Sequence, residues 1–197
     1  MKNINDNRRR ILTVATSFVA GAGVAGLAVP FVQSWNPSAK VRSSGAPVKV
    51  NVSKIDPGAI ITVEWQRKPV WVLRRNNENI EELEKPAHKS LLRDADSEIN
   101  QQPDYAKNDF RSIRPEIFIA VGICTHLGCI PLYKPEGLSN DTQGLYFCPC
   151  HGSKFDLAGR VFKGVPAPTN LIIPPHRYIT DDMVEIGVDE NIADVFE

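Results

Sequence analysis

All four cysteines of the chain and two of its four histidines fall in two short boxes. The first is Cys124-Thr125-His126-Leu127-Gly128-Cys129, and the second is Cys148-Pro149-Cys150-His151-Gly152-Ser153. Each box offers a thiolate and an imidazole on a tight loop, together with a second cysteine. Six soft or borderline ligands exceed the four that a tetrahedral zinc accepts. The spacings also differ from the usual zinc patterns, since adjacent Cys150 and His151 would struggle to meet one tetrahedral ion together. The inventory suits an iron pair ligated by two cysteines and two histidines, with one cysteine pair left over. A zinc-stabilised loop pair in a membrane-tethered interaction protein is the alternative.

The box pattern resembles that of the Rieske [2Fe–2S] proteins. That resemblance implies one [2Fe–2S] cluster, with Cys124 and Cys148 on one iron and His126 and His151 on the other. It also implies a Cys129–Cys150 disulfide joining the loops. The Rieske branch of oxygenases and ferredoxins lacks this extra pair, so Cys129 and Cys150 argue against that branch and for an oxidising compartment. Replacing two anionic thiolates by neutral imidazoles makes reduction easier and raises the potential above that of all-cysteine clusters. Four further residues read as tuning positions. Gly128 and Gly152 suit backbone that comes close to a cluster in conformations closed to other residues. The Ser153 hydroxyl is a candidate donor to a cluster sulfur, which raises the potential further. Phe155 stands where many family members carry a tyrosine, so a phenolic hydrogen bond is absent.

The N-terminus indicates the compartment. Asn7-Arg8-Arg9-Arg10-Ile11-Leu12 looks like a twin-arginine export signal within a cytoplasmic n-region, residues 1–10. Ile11 to Val32 carries no charge and would span about 33 Å as a helix, enough for a bilayer core and longer than a secretory signal requires. Residues 11–35 therefore read as a retained single-pass anchor, with Trp35 as an interfacial aromatic. Gly21, Gly23 and Gly26 would allow close helix contacts with membrane partners. Lys2 and Arg8 to Arg10 precede the span, which puts the N-terminus inside and the cluster domain on the periplasmic side of a bacterial inner membrane. Residues 36–47, polar and with two prolines, read as a flexible linker with a reach of about 20 Å.

The fold class expected is all-β: a Rieske-type antiparallel head, residues 48–197, with a cluster-binding subdomain, after one N-terminal transmembrane helix. Val48 to Val52 alternates as a half-buried strand does. Ile60 to Trp65 and Pro69 to Leu73 flank the polar Gln66-Arg67-Lys68 and predict a hairpin. Asn76 to Ser97 predicts an inserted helix broken near Pro86, with His88 a solvated surface residue. Ile117 to Ile123 predicts a strand leading into loop 124–129, and Leu145 to Phe147 one leading into loop 148–153. Leu171 to Ile173 and Met183 to Val188 are expected to close the sheet, with His176 between them lacking any partner motif. The formal net charge of zero and the lack of a basic patch give no support to nucleic-acid binding.

Beyond the boxes, residues 58–75, Arg111 to Pro115 and the proline-bearing loop 164–171 are similar to the Rieske subunit of bacterial ubiquinol–cytochrome c reductase. The resemblance implies an electron-transfer subunit of a dimeric respiratory cytochrome bc complex. It implies ubiquinol as donor, a cytochrome b subunit and a c-type cytochrome as partners, and a contribution to proton translocation. His151 would accept the quinol hydrogen bond and proton, and Leu127 would contact cytochrome b. The small subunit of an arsenite-oxidase-type enzyme is the nearest rival reading.

Overall fold

The computed structural model describes residues 2–36, 45–138 and 144–188. The chain divides into two compact units, residues 1–43 and residues 44–197. The first unit is one helix, α1 (Lys2–Ser34). Its stretch Asp6–Ser34 is long and apolar enough to cross a membrane, with a mean hydropathy of 1.8. Within it the Thr13 hydroxyl donates to the Arg9 carbonyl and that of Thr16 to the Leu12 carbonyl, so neither hydroxyl proton is left unpaired. Most of the linker at 36–47 lies outside the described residues.

Among its described residues the second unit contains three antiparallel three-stranded sheets. The first orders β1 (Val48–Asn51), β9 (Met183–Ile186) and β8 (His176–Thr180). The second orders β2 (Ile60–Trp65), β3 (Lys68–Arg74) and β4 (Ile117–Val121). The third is smaller, with β5 (Leu132–Lys134), β6 (Leu145–Phe147) and β7 (Lys154–Phe155). Gln66 and Arg67 both have positive φ, 51° and 62°, as a tight two-residue hairpin between β2 and β3 requires.

Strand periodicity explains how two cores arise from one sheet. On β3, Val70 and Val72 face one core while Trp71 and Leu73 face the other. On β4, Ile119 and Val121 join the first core, and Phe118 and Ala120 the second. The first core is closed by Val50, Val184 and Ile186 of the other large sheet. The second is closed by Tyr146, Phe155, Cys124 and Cys148, so the metal-box loops rest directly on the β3–β4 face. Both strands are buried on two sides, hence their near-continuous apolar sequence. At the end of β4, a Cβ on Gly122 would overlap the indole of buried Trp71. Gly122→Ala is expected to cost about 1–3 kcal/mol, read as a lowered denaturation midpoint of the head.

Between β3 and β4 lies the insert. Helix α2 (Asn77–Glu84) starts at a reciprocal cap, with Asn76 Oδ1 accepting from Asn79 N at 2.8 Å. Helix α3 (Pro86–Ser90) begins with Pro86 in its first turn, which places the break where the sequence predicts it.

Two expectations need correction. His88 is not a solvated surface residue but is 7% exposed, with Nε2 at 3.1 Å from buried Asp156. A polar neighbourhood in sequence concealed a partner 68 residues away. Leu171 to Ile173 forms no strand. Leu171 N donates to Gly159, Ile173 N to Gln101, and Ile172 O accepts from Val121, so these bonds go to three segments and build no ladder. The strand comes after Pro174 and Pro175, which have no N–H to give, and opens at His176. His176 is buried against the Tyr105 ring, its Nδ1 at 2.8 Å from the Pro174 carbonyl oxygen.

Candidate metal centre

The two boxes adopt one backbone design. In the first, Cys124 N donates to Cys129 O at 2.7 Å and Gly128 N to Cys124 O at 3.0 Å. In the second, Cys148 N donates to Ser153 O at 2.8 Å and Gly152 N to Cys148 O at 2.9 Å. Each loop thus closes on itself by the same pair of bonds. Gly128 and Gly152 occupy the matching turn positions, with φ of 83° and 78°. Neither has another protein group within 4 Å of where a Cβ would stand, so left-handed backbone is what requires glycine at both.

This design sorts the ligands. Cys124 and Cys148 are each 2% exposed and are free thiols. His126 is half-buried and His151 exposed, and their rings meet at 90° within one degree, centroids 4.7 Å apart. Cys129 and Cys150 are joined in a disulfide. The sulfur of Cys148 lies within 4.8 Å of both disulfide sulfurs. Two thiols inside and two imidazoles outside remain available to metal. Leu127 projects from the first loop at 72% exposure.

Burial pushes the Cys124 thiol up, and neighbouring Cys148 adds to that shift. The His126 backbone N–H and the Ser153 hydroxyl oppose it by hydrogen bonding to the Cys124 sulfur. Phe155 is fully buried, opposite Tyr146 in the small sheet.

Part of the site left no signal in the boxes. The segment after β7, Asp156 to Arg160, is wholly buried and carries a charged cluster. Asp156 accepts from Arg160 Nε at 2.7 Å, from the backbone N–H groups of Ala158 and Arg160, and faces His88. Arg75 donates twice to the Leu157 carbonyl, and Arg111 to those of Ala158 and Gly159. Burial lowers both Arg75 and Arg111 to about 10, which leaves them charged at neutral pH. Long-range guanidinium bonds of this kind have no local sequence period; the only local trace is the Asp156–Arg160 spacing of four.

The sequence relatives agree with this geometry. Residues 47–175 match the family model described as "Rieske [2Fe-2S] domain". The chain belongs to the Rieske iron–sulfur family. Residues 2–38 match a second model, "Ubiquitinol-cytochrome C reductase Fe-S subunit TAT signal", which covers the double-arginine segment. The ubiquinol–cytochrome c reductase iron–sulfur subunit of Allochromatium vinosum is 52% identical over 98% of this chain and 94% of its own length. The subunits of the same name from Blastochloris viridis and Rhodospirillum rubrum are each 40% identical, over 91% and 92% of this chain and 92% of their own lengths. The Rieske donor set and the buried thiols suit a [2Fe–2S] cluster, and the family replaces the zinc reading.

Proposed function

We propose that the chain is the membrane-anchored electron-transfer subunit of a respiratory cytochrome bc complex. The observation that carries this reading is that export-signal match, apolar helix and two-box head follow one another in this chain, and that relatives named for that complex match it along nearly its whole length. Cys124 and Cys148 hold one iron, and His126 and His151 the other. A [2Fe–2S] cluster so ligated supplies one-electron transfer at a potential above that of all-cysteine clusters.

The roles of the chain's own residues follow from their placement. Exposed His151 presents its outer ring nitrogen to a quinol hydroxyl, accepts the hydrogen bond, and takes the proton there. Leu127 offers apolar surface at the tip, which docks on cytochrome b and excludes water from that proton transfer. The linker at 36–47 lets the head carry its electron onward to a c-type cytochrome. Lys2 and Arg8 to Arg10, ahead of the uncharged stretch of α1, keep the N-terminus in the cytoplasm, so the head is periplasmic and quinol protons are released outside.

Affinity purification of the full chain from native membranes tests the proposal. The expected result is co-purification of b-type and c-type haem with quinol-dependent cytochrome c reduction. Co-purification with an arsenite-oxidising partner and no b-type haem would replace it with the rival reading.

A further inference from the structure

The proline-bearing loop 164–171 touches both boxes through one hydrogen bond each. Thr125 Oγ1 of the first box donates to the Thr169 carbonyl at 2.7 Å. Ala167 N–H donates to Ser153 Oγ of the second box at 3.0 Å, and both residues are fully buried. A serine hydroxyl has one proton and two lone pairs. With a lone pair occupied by Ala167 N–H, the proton is left free to be donated onward, towards the paired boxes. Donation into Oγ also polarises the hydroxyl and strengthens the bond it makes onward.

The loop itself is held from the insert. Asn170 is fully buried, accepts from Val161 N at 2.8 Å, and donates through Nδ2 to the Asp94 carbonyl at 2.9 Å. From the solvent side, Arg93 donates to the Val165 carbonyl at 2.9 Å. Two residues outside the boxes therefore fix where Ala167 meets Ser153.

We propose that Asn170, assisted by Arg93, is a positioning residue for the cluster: by holding the proline loop against the insert it keeps Ala167 N–H on Ser153 Oγ and so sustains the hydrogen bond that the Ser153 hydroxyl donates to a cluster sulfur. This rests on the Rieske ligand assignment above. A merely structural Asn170 would stabilise the head without coupling to Ser153.

A double-mutant cycle on the full-length holoprotein separates these roles, read as the midpoint potential in an EPR-monitored redox titration. Ser153→Ala is expected to shift the one-electron equilibrium about tenfold towards the oxidised form, or about 59 mV. Asn170→Ala is expected to shift it the same way and by no more, and to add nothing in the Ser153→Ala background. Arg93→Ala, an exposed substitution that leaves Asn170 in place, is expected to repeat that coupling on a smaller scale. It decides the matter if Asn170→Ala does not assemble. Shifts that add to that of Ser153→Ala, or an unchanged potential, would overturn the proposal. A wild-type chain with no reducible cluster would instead overturn the ligand assignment beneath it.

Discussion

Replacing Cys129 or Cys150 by serine is expected to destabilise the head by about 3 kcal/mol. The bond joins residues 21 apart in sequence, and closing a loop of that size removes about 3 kcal/mol of chain entropy from the unfolded state. Its position magnifies the consequence. Cys148 sits beside both disulfide sulfurs, and the rings of His126 and His151, one from each box, meet edge to face. Without it the loops are joined through the core beneath and the proline loop alone. Denaturant unfolding under oxidising conditions should show the loss, with cluster content falling in parallel. An unchanged unfolding midpoint with full cluster content would show that the disulfide is dispensable to the site.

Asp156→Asn is expected to cost more, about 3–5 kcal/mol, because removing one partner of a buried ion pair strands the other. The carboxylate is 1% exposed and sits between the Arg160 guanidinium and His88. Asparagine keeps the shape but not the charge, and leaves Arg160 buried along with the cations Arg75 and Arg111. Burial by itself would raise the Asp156 carboxyl; the Arg160 charge and the His88 hydrogen bond outweigh it and hold the group at about 2. Its ordinary value is 3.8, so folding depresses it. The sign follows: the contribution is complete above about pH 4 and is lost as pH falls towards 2. Stability measured between pH 5 and pH 2 should fall in the wild type and fall less in Asp156→Asn. Equal pH slopes would show that Asp156 does not carry this dependence. Exposed pairs such as Lys107 with Glu98 should behave differently, since solvent and side-chain entropy cancel most of their attraction.

These two effects mark how far the sequence was legible. The Cys129–Cys150 disulfide was legible through the resemblance of the two boxes to the Rieske pattern; the burial of the two thiols and the exposure of His151 were not. Hairpin β2–β3, the buried run of β4 and the Pro86 break were equally legible, because strand period and proline chemistry act locally. What was hidden depends on distant partners. His88 stands in a polar run and becomes buried only because Asp156 arrives from the far side of both boxes. Leu171 to Ile173 is apolar and strand-like, yet its hydrogen bonds are taken one at a time by Gly159, Val121 and Gln101. Arginine and asparagine are residue types found mostly at protein surfaces, whereas Arg75, Arg111 and Asn170 are buried and donate to backbone carbonyls across the fold. Their effect on the site passes through the segments they brace, which no box spacing records.

We propose that Cys124, His126, Cys148 and His151 hold the iron–sulfur cluster. The most direct measurement is iron and acid-labile sulfide analysis of the purified full-length chain, followed by pulsed EPR after one-electron reduction. The expected result is iron and sulfide in equal amount, a pair of each per chain, with a paramagnetic signal coupled to the nitrogens of two imidazoles. Loss of one of the two nitrogen couplings in His126→Cys or in His151→Cys would follow from the same assignment. Stoichiometric zinc without labile sulfide, or a reduced cluster with no coupled imidazole nitrogen, would contradict it.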